Sequence, residues 1–115
     1  METQEALLAF AALSQATRLD VFRLLIEHEP EGLPAGEVAR RVAVPANTMS
    51  AHLGVLARAR LVSAERRSRT IIYRAEIASL RALIDFGHEL LRRQAGPVCC
   101  ADNAASIHVL PKTTG

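Results

Sequence analysis

The chain has 115 residues, half of them hydrophobic, which is enough for one domain with a modest core and excludes a disordered polypeptide. Aromatic residues make up only 3% and Trp is absent, so the core must come from Leu, Ile, Val and Ala, a composition that favours packed helices and a partner chain to complete burial. The net charge of +2 says little, but its distribution says more: 13 of the 14 basic residues are Arg, and six of these (58, 60, 66, 67, 69 and 74) share one window with a single acid, Glu65.

In chain order, Thr3 to Leu13 carries Leu7, Phe10 and Ala11 at helical spacing and predicts a first helix. Ser14 and Thr17 offer caps for a second, from about Ala16 to His28, with Leu19, Phe22, Leu25 and Ile26 as one buried stripe. Glu29-Pro30-Glu31-Gly32 ends it. Leu33-Pro34 opens a third helix, Ala35 to Arg41, with Val38 and Val42 facing inward. After the break at Val44-Pro45 a fourth helix runs from about Ala46 to Ala59. At about 100° per residue, Met49, Leu53, Leu56 and Arg60 fall on one side, while Asn47, Thr48, Ala51, Val55 and Arg58 point away.

Leu61–Glu65 and Thr70–Arg74 read as two strands of a hairpin, joined by Arg66-Arg67-Ser68-Arg69. A last helix, Glu76 to about Gln94, places Ile77, Leu80, Ile84, Gly87 and Leu91 on one side, and Gly87 permits close approach of another helix. Gly96-Pro97 stops it. The expected organisation is therefore one mainly α domain with a small β-hairpin, residues 1–94, followed by a tail, residues 95–115, that lacks periodicity. No leader or membrane span is visible, because the apolar stretch from Leu7 to Leu13 is short and lacks a basic lead. A cytoplasmic location is expected, and there two cysteines read as metal-binding or redox thiols.

The order of these elements is more telling than any one of them. Two short helices joined by a tight turn make a helix-turn-helix, and an Arg-tipped hairpin behind them makes a wing. A helix that reads a major groove needs both small and hydrogen-bonding residues on its exposed face. Asn47, Thr48 and Ala51 meet that need, with Ser50 and His52 flanking them. For His52 the competing reading is a half-buried histidine packed beside the wing. Arg66, Arg67 and Arg69 are placed to meet phosphates, for which the planar guanidinium is well shaped.

Here the chain resembles the ArsR/SmtB family of bacterial repressors. The likeness rests on Ala12-Leu13-Ser14-Gln15-Ala16-Thr17-Arg18-Leu19 with Val21-Phe22-Arg23-Leu24-Leu25, on Ser50-Ala51-His52-Leu53-Gly54-Val55-Leu56 with Ala59-Arg60-Leu61-Val62, and on Arg69 to Tyr73. It covers roughly residues 5 to 94. The resemblance implies a dimeric winged helix-turn-helix paired through the first and last helices, a pseudo-palindromic double-stranded operator, and derepression by an inducer. Two departures stand out. The helix before the recognition helix, where arsenic-sensing members carry cysteines, reads Gly32-Leu33-Pro34-Ala35-Gly36-Glu37-Val38 with none. The last helix has Asp85, His88 and Glu89 but lacks the second His pair of zinc-type members, which leaves a solvated polar face.

Both cysteines, Cys99 and Cys100, are adjacent and follow the last helix. Neighbouring thiols do not readily bridge each other, but both reach one soft centre. Trivalent arsenic or antimony suits them. Two sulfurs leave one arsenic valence for a methyl or aryl group, as in methylarsenite, or for hydroxide, a small thiol or the other subunit's cysteine with arsenite; His108 and Asp102 are weaker candidates. Some relatives place a comparable pair beyond the last helix, so the resemblance supports a relocated metalloid site. Divalent soft metals such as cadmium or mercury, or a redox or persulfide role, are the alternatives. A thiol enzyme is disfavoured, since the thiols have neither a phosphate-cradling Gly-rich loop nor a Cys-x-x-Cys spacing. No cofactor is required and no catalytic residue is assigned.

Overall fold

The computed structural model describes residues 1–93. Five helices and three strands follow in the order α1 (Thr3–Leu13), α2 (Ala16–Glu27), β1 (Leu33–Pro34), α3 (Ala35–Val42), α4 (Ala46–Arg58), β2 (Val62–Arg67), β3 (Thr70–Ala75) and α5 (Ile77–Arg92). Residues 1–83 form one compact unit. The rest of α5, from Ile84, belongs to a second, in which Ile84, Leu90 and Leu91 are exposed. The mainly α class with a small β wing is as expected.

The core of the first unit is aliphatic. Val21, Phe22 and Leu25 of α2 pack with Val38 of α3 and with Met49, Leu53 and Leu56 of α4, and all of these are buried. Fully burying one such side chain contributes roughly 1.5–3 kcal/mol, so this cluster dominates the stability of the unit. Leu19, expected in the α2 stripe, is exposed, and Ile26 only half-buried. Val21 takes the inward place instead. On α1 the buried residues are Ala6, Ala9 and Ala12, whose small side chains let the helix lie close, while Leu7, Leu8 and Phe10 stay exposed.

Local hydrogen bonding corrects several details. The N-cap of α2 is Gln15, whose Oε1 accepts from the Arg18 N–H at 2.9 Å. Ser14 instead turns back, its hydroxyl donating to the Ala11 carbonyl at 2.8 Å to close α1. Leu33-Pro34 is not a helix start but a short strand, and Pro34 is the N-cap of α3. The sheet is therefore three-stranded and antiparallel, in the order β1-β3-β2, with Leu33 opposite Tyr73 and Val62 opposite Ala75. β1 lies at an edge, where the missing N–H of a proline is tolerated. The wing strands extend to Arg67 and begin again at Thr70, so the connection is a two-residue turn, Ser68-Arg69, rather than four residues. Ser68 takes a left-handed conformation there, with φ 57°.

Both helices of the helix-turn-helix are closed at their C-terminal ends by left-handed residues that are not glycine. Ala43 (φ 63°) ends α3: its N–H bonds the Arg40 carbonyl at 3.2 Å, and the Val44 N–H bonds the Ala39 carbonyl at 3.0 Å. Arg60 (φ 64°) follows α4 in the same way, with its N–H on the Ala57 carbonyl at 2.9 Å and the Leu61 N–H on the Leu56 carbonyl at 3.0 Å. This is a Schellman closure, with buried Leu61 against buried Leu56. Glycine would hold either place at a cost lower by roughly 1 kcal/mol. Arg60 thus lies beyond the helix and exposed, not on the buried side that the helical spacing assigned to it.

Gly32 sets the return of the chain into β1. Its φ is 76°, and a Cβ there would stand 2.5 Å from the Tyr73 carbonyl oxygen and 2.9 Å from Ile72 Cγ2. Backbone conformation and space both require glycine. Gly32→Ala is expected to destabilise the fold by more than about 2 kcal/mol, a fall in Tm of at least roughly 8 °C by calorimetry. An unchanged Tm would contradict the packing of β1 on β3.

Candidate nucleic-acid interface

The helix-turn-helix places α4 with one side buried and the other free. Met49, Leu53 and Leu56 anchor it, and Asn47, Thr48, Ser50 and Ala51 are exposed on the opposite side. Pro45 is its N-cap, with no side-chain cap bond, and the Pro45 carbonyl accepts from the Met49 N–H at 2.9 Å. Helix initiation here rests on the backbone that proline fixes, φ −58° and ψ 150°. Asn47 Oδ1 accepts from the Thr48 N–H at 2.9 Å, which holds the amide at the tip of the helix with its NH2 free to donate.

His52 is half-buried, but its partner is not the wing. Its Nδ1 accepts from Arg18 Nη1 at 3.4 Å. Arg18 also donates from Nε to the Ala12 carbonyl at 2.7 Å, so one guanidinium bridges the end of α1 to the exposed helix from its position on α2. With Nδ1 accepting, the ring proton sits on Nε2, which remains available as a donor. Periodicity and charge pattern assign Arg18 no role. The only signal for one is its place in the Ala-Thr-Arg-Leu run.

The six arginines of the basic window divide into three groups. Arg66, Arg67 and Arg69 stand exposed at the wing tip. Arg67 Nε lies 3.6 Å from Glu65, while Arg66 and Arg69 have no carboxylate within ion-pair distance among the described residues. Arg74 turns the other way, donating from Nε to the Pro30 carbonyl at 2.8 Å and from Nη1 to Glu65. That hydrogen bond, with the charge of Arg74, holds the Glu65 carboxyl below the ordinary glutamate range. Arg58 and Arg60 lie at the far end of α4, away from its tip. At the wing tip, among the described residues, Arg66 and Arg69 thus combine exposure with a charge that no carboxylate meets.

Cys99 and Cys100, with Asp102 and His108, lie outside the described residues, as does the tail from residue 95. On α5, Asp85, His88 and Glu89 are expected to form a polar face; Glu89 is exposed and pairs with Arg92, which lowers the Glu89 pKa. Among the described residues no group of three metal-ligating side chains converges, and no helix is long and apolar enough to cross a membrane.

Comparison with known proteins fits this geometry. A helix-turn-helix domain family matches residues 13–63, from the end of α1 into the first wing strand. The solved structure of an ArsR-like transcriptional regulator from Rhodococcus sp. RHA1 is 33% identical, with a TM-score of 0.64 over 80% of this chain and 88% of that one. The chain belongs to the ArsR family of winged-helix transcriptional regulators. Among its relatives, the HTH-type transcriptional regulator KmtR of Mycobacterium tuberculosis is 39% identical over 75 residues, 65% of this chain and 55% of that protein. The transcriptional activator HlyU of Vibrio cholerae is 27% identical over 86 residues, 75% of this chain and 77% of that protein, and its solved structure superposes with a TM-score of 0.62. The chain therefore spans little more than half the length of KmtR. The family is one of regulators rather than enzymes.

Within this ArsR-family chain, Arg18 ties three helices by hydrogen bonds that an apolar side chain cannot make. Arg18→Met is expected to cost about 1–2 kcal/mol in urea unfolding, with the m-value unchanged. A loss below about 0.3 kcal/mol would mean that the bridge does not hold α4.

Proposed function

We propose that the chain is a homodimeric repressor that occupies a pseudo-palindromic operator and leaves it when a trivalent arsenical or antimonite binds Cys99 and Cys100. The observation that carries the DNA part is the exposed polar face of α4, together with a wing tip where Arg66 and Arg69 have no carboxylate within ion-pair distance among the described residues. In this reading Asn47, Thr48 and Ala51 meet base edges in the major groove, Ser50 and His52 beside them meet phosphates or base edges, and Arg66, Arg67 and Arg69 meet the flanking phosphates. His52 donates from Nε2, the nitrogen that Arg18 leaves free.

Homodimerisation follows from what water touches in the isolated chain. Leu7, Leu8 and Phe10 on α1, and separately Ile84, Leu90 and Leu91 on α5, are all exposed. Six large apolar side chains on two helices are a cost that pairing with a second copy removes, at roughly 25 cal/mol per Å2 buried. Repression needs only occupancy of the operator. Activation, the role named for HlyU, needs a further contact to the transcription machinery. A reporter on the chain's own promoter that rises when the chain is deleted supports repression, and one that falls overturns it.

The inducer part rests on the sequence: two soft ligands side by side, on the segment following α5. Residues 95–115 act here as a sensing tail on the DNA-binding and dimerisation domain, residues 1–94. A coupling of about 2–3 kcal/mol between the thiols and the operator would weaken binding on the order of 30- to 150-fold.

Two measurements check these parts separately. In anisotropy titrations on promoter DNA, the Arg66→Ala, Arg67→Ala and Arg69→Ala substitutions are each expected to lower the salt slope by about one, uniformly across sequences, because each removes the guanidinium that neutralises one phosphate. Asn47→Ala is expected to cost about 1–3 kcal/mol on the cognate operator alone; a slope that does not change removes the wing from the interface. In the second, arsenite, methylarsenite, antimonite, cadmium and peroxide are added in turn to the protein–operator complex. The Cys99→Ser/Cys100→Ser variant is expected to keep operator affinity and lose release by arsenicals. Release that survives the double substitution sinks the metalloid assignment, and release by peroxide alone replaces it with a thiol-redox repressor.

A further inference from the structure

Arg18 stands on α2, yet its side-chain donors go to two other helices. Its Nε donates to the Ala12 carbonyl at 2.7 Å, at the end of α1, and this fixes the plane of the guanidinium. Nη1 then meets Nδ1 of His52 on α4, at 3.4 Å. No carboxylate lies within ion-pair distance of Arg18 among the described residues, so the charge does not serve an ion pair. An amide such as Gln could bridge the same helices but could also reverse its role, because it both donates and accepts. Arginine cannot. It has five donors and no acceptor, and it keeps its proton.

The consequence falls on the imidazole. A neutral ring carries one proton, and the nitrogen that faces a donor-only group must be the one without it, so the His52 proton is held on Nε2. His28 gives the contrast. Its Nδ1 donates to the Leu24 carbonyl at 3.0 Å and its Nε2 accepts from Arg41 Nη1 at 3.0 Å, the opposite tautomer with both nitrogens engaged. That ring is a brace. In His52 only Nδ1 is engaged among the described residues, and Nε2 keeps a proton that none of them accepts. His52 also follows the exposed pair Ser50 and Ala51 on α4, whereas His28 lies at the end of α2.

We infer that Arg18 is a positioning residue for operator recognition that acts through His52: it commits the ring to one tautomer and one orientation, so that α4 offers a donor there and never an acceptor. The matching group on the operator is therefore an acceptor, either a phosphate oxygen or a base-edge N7, O6 or O4. A base that presents its N4 or N6 amino group at that place is rejected, because two donors left facing each other cost more than a bond merely missing. The inference rests on the proposed reading of DNA by α4 and is independent of the inducer.

Two measurements on the full, reduced chain test it, and the first needs no DNA. In long-range proton–nitrogen correlation spectra at about pH 8, above the ordinary imidazole range, the His52 ring is expected to show an unprotonated Nδ1 and a protonated Nε2. In Arg18→Met the two nitrogen shifts are expected to move toward each other as both tautomers populate. A proton on Nδ1 of the unaltered chain, or shifts indifferent to the substitution, overturns the inference. The second is anisotropy on promoter DNA scanned by three changes: transitions, which exchange exocyclic acceptor and donor; deazapurines lacking N7; and methylphosphonates, which remove a phosphate charge. One place is expected to cost the unaltered chain about tenfold and His52→Ala nothing, and the kind of change that reveals it separates a base edge from a phosphate. At that place Arg18→Met is expected to reduce the penalty to about threefold or less, with the other penalties kept. In a His52→Ala chain, Arg18→Met is expected to change operator affinity by less than about twofold. A loss of about tenfold in that background, a relaxation spread over every place, or no place coupled to His52 overturns the inference and leaves Arg18 a structural brace. Failure of the unaltered chain to bind promoter DNA is a separate result: it overturns the reading of DNA by α4, and this role with it, while the spectra still report the tautomer.

Discussion

Everything functional in this chain depends on how α4 is held. Met49, Leu53 and Leu56 recur along one side of that helix and are buried against Val21, Phe22, Leu25 and Val38. A helix anchored by a single stripe has no freedom to rotate without exposing leucines, at roughly 1.5–3 kcal/mol each. The opposite side is therefore fixed outward. Asn47, Thr48, Ser50 and Ala51 are exposed because of what their helical neighbours bury, not because of any property of their own. The core is aliphatic apart from Phe22, so shape-matched branched side chains set this orientation.

Polar contacts then refine what the core has fixed. His28 shows the pattern: its Nδ1–H donates to the Leu24 carbonyl at 3.0 Å, while Nε2 accepts from Arg41 Nη1 at 3.0 Å. Arg41 in turn bonds Glu37 Oε2 at 2.7 Å. The end of α2 is thereby joined to α3. Arg18 performs the corresponding task between α1 and α4, and Arg74 between the wing and the chain at Pro30. These three arginines act as multi-donor braces to carbonyls and rings, a use for which the five-donor fork suits them better than lysine. The arginines of the wing tip have the same chemistry and the opposite circumstance. Where Arg74 has a carbonyl and a carboxylate within reach, Arg66 and Arg69 have neither among the described residues, and their charge is left to a partner.

Much of this is legible without coordinates. The helix-turn-helix and the wing follow from periodicity and from Pro45 and Gly32 as breaks, because those signals act over a few residues. Other features are not legible. A strand of only Leu33 and Pro34 has no periodicity to detect, and it exists because β3 lies alongside it. Leu19 satisfies a helical stripe on paper yet is exposed, since the direction of burial on α2 is chosen by α3 and α4 together, and Val21 meets them. Gln15 displaces Ser14 and Thr17 as the cap because Ser14 is already bonded to α1. Arg60 follows the buried stripe by arithmetic, but the helix has ended, and its left-handed backbone removes it from that direction.

The sequence by itself determined the order of the helices and of the wing hairpin, the fold family and the residue types available to an exposed helix, since each is written in local spacing and in a run of motifs. It also determined the adjacency of Cys99 and Cys100, which is a covalent fact. Only the tertiary structure decided which arginines are braces and which stand free at the wing. Charge is a property of a residue, but its availability depends on groups dozens of positions away, as Pro30 is from Arg74 and His52 from Arg18. Long-range proximity of that kind is created by packing, and no local pattern encodes it.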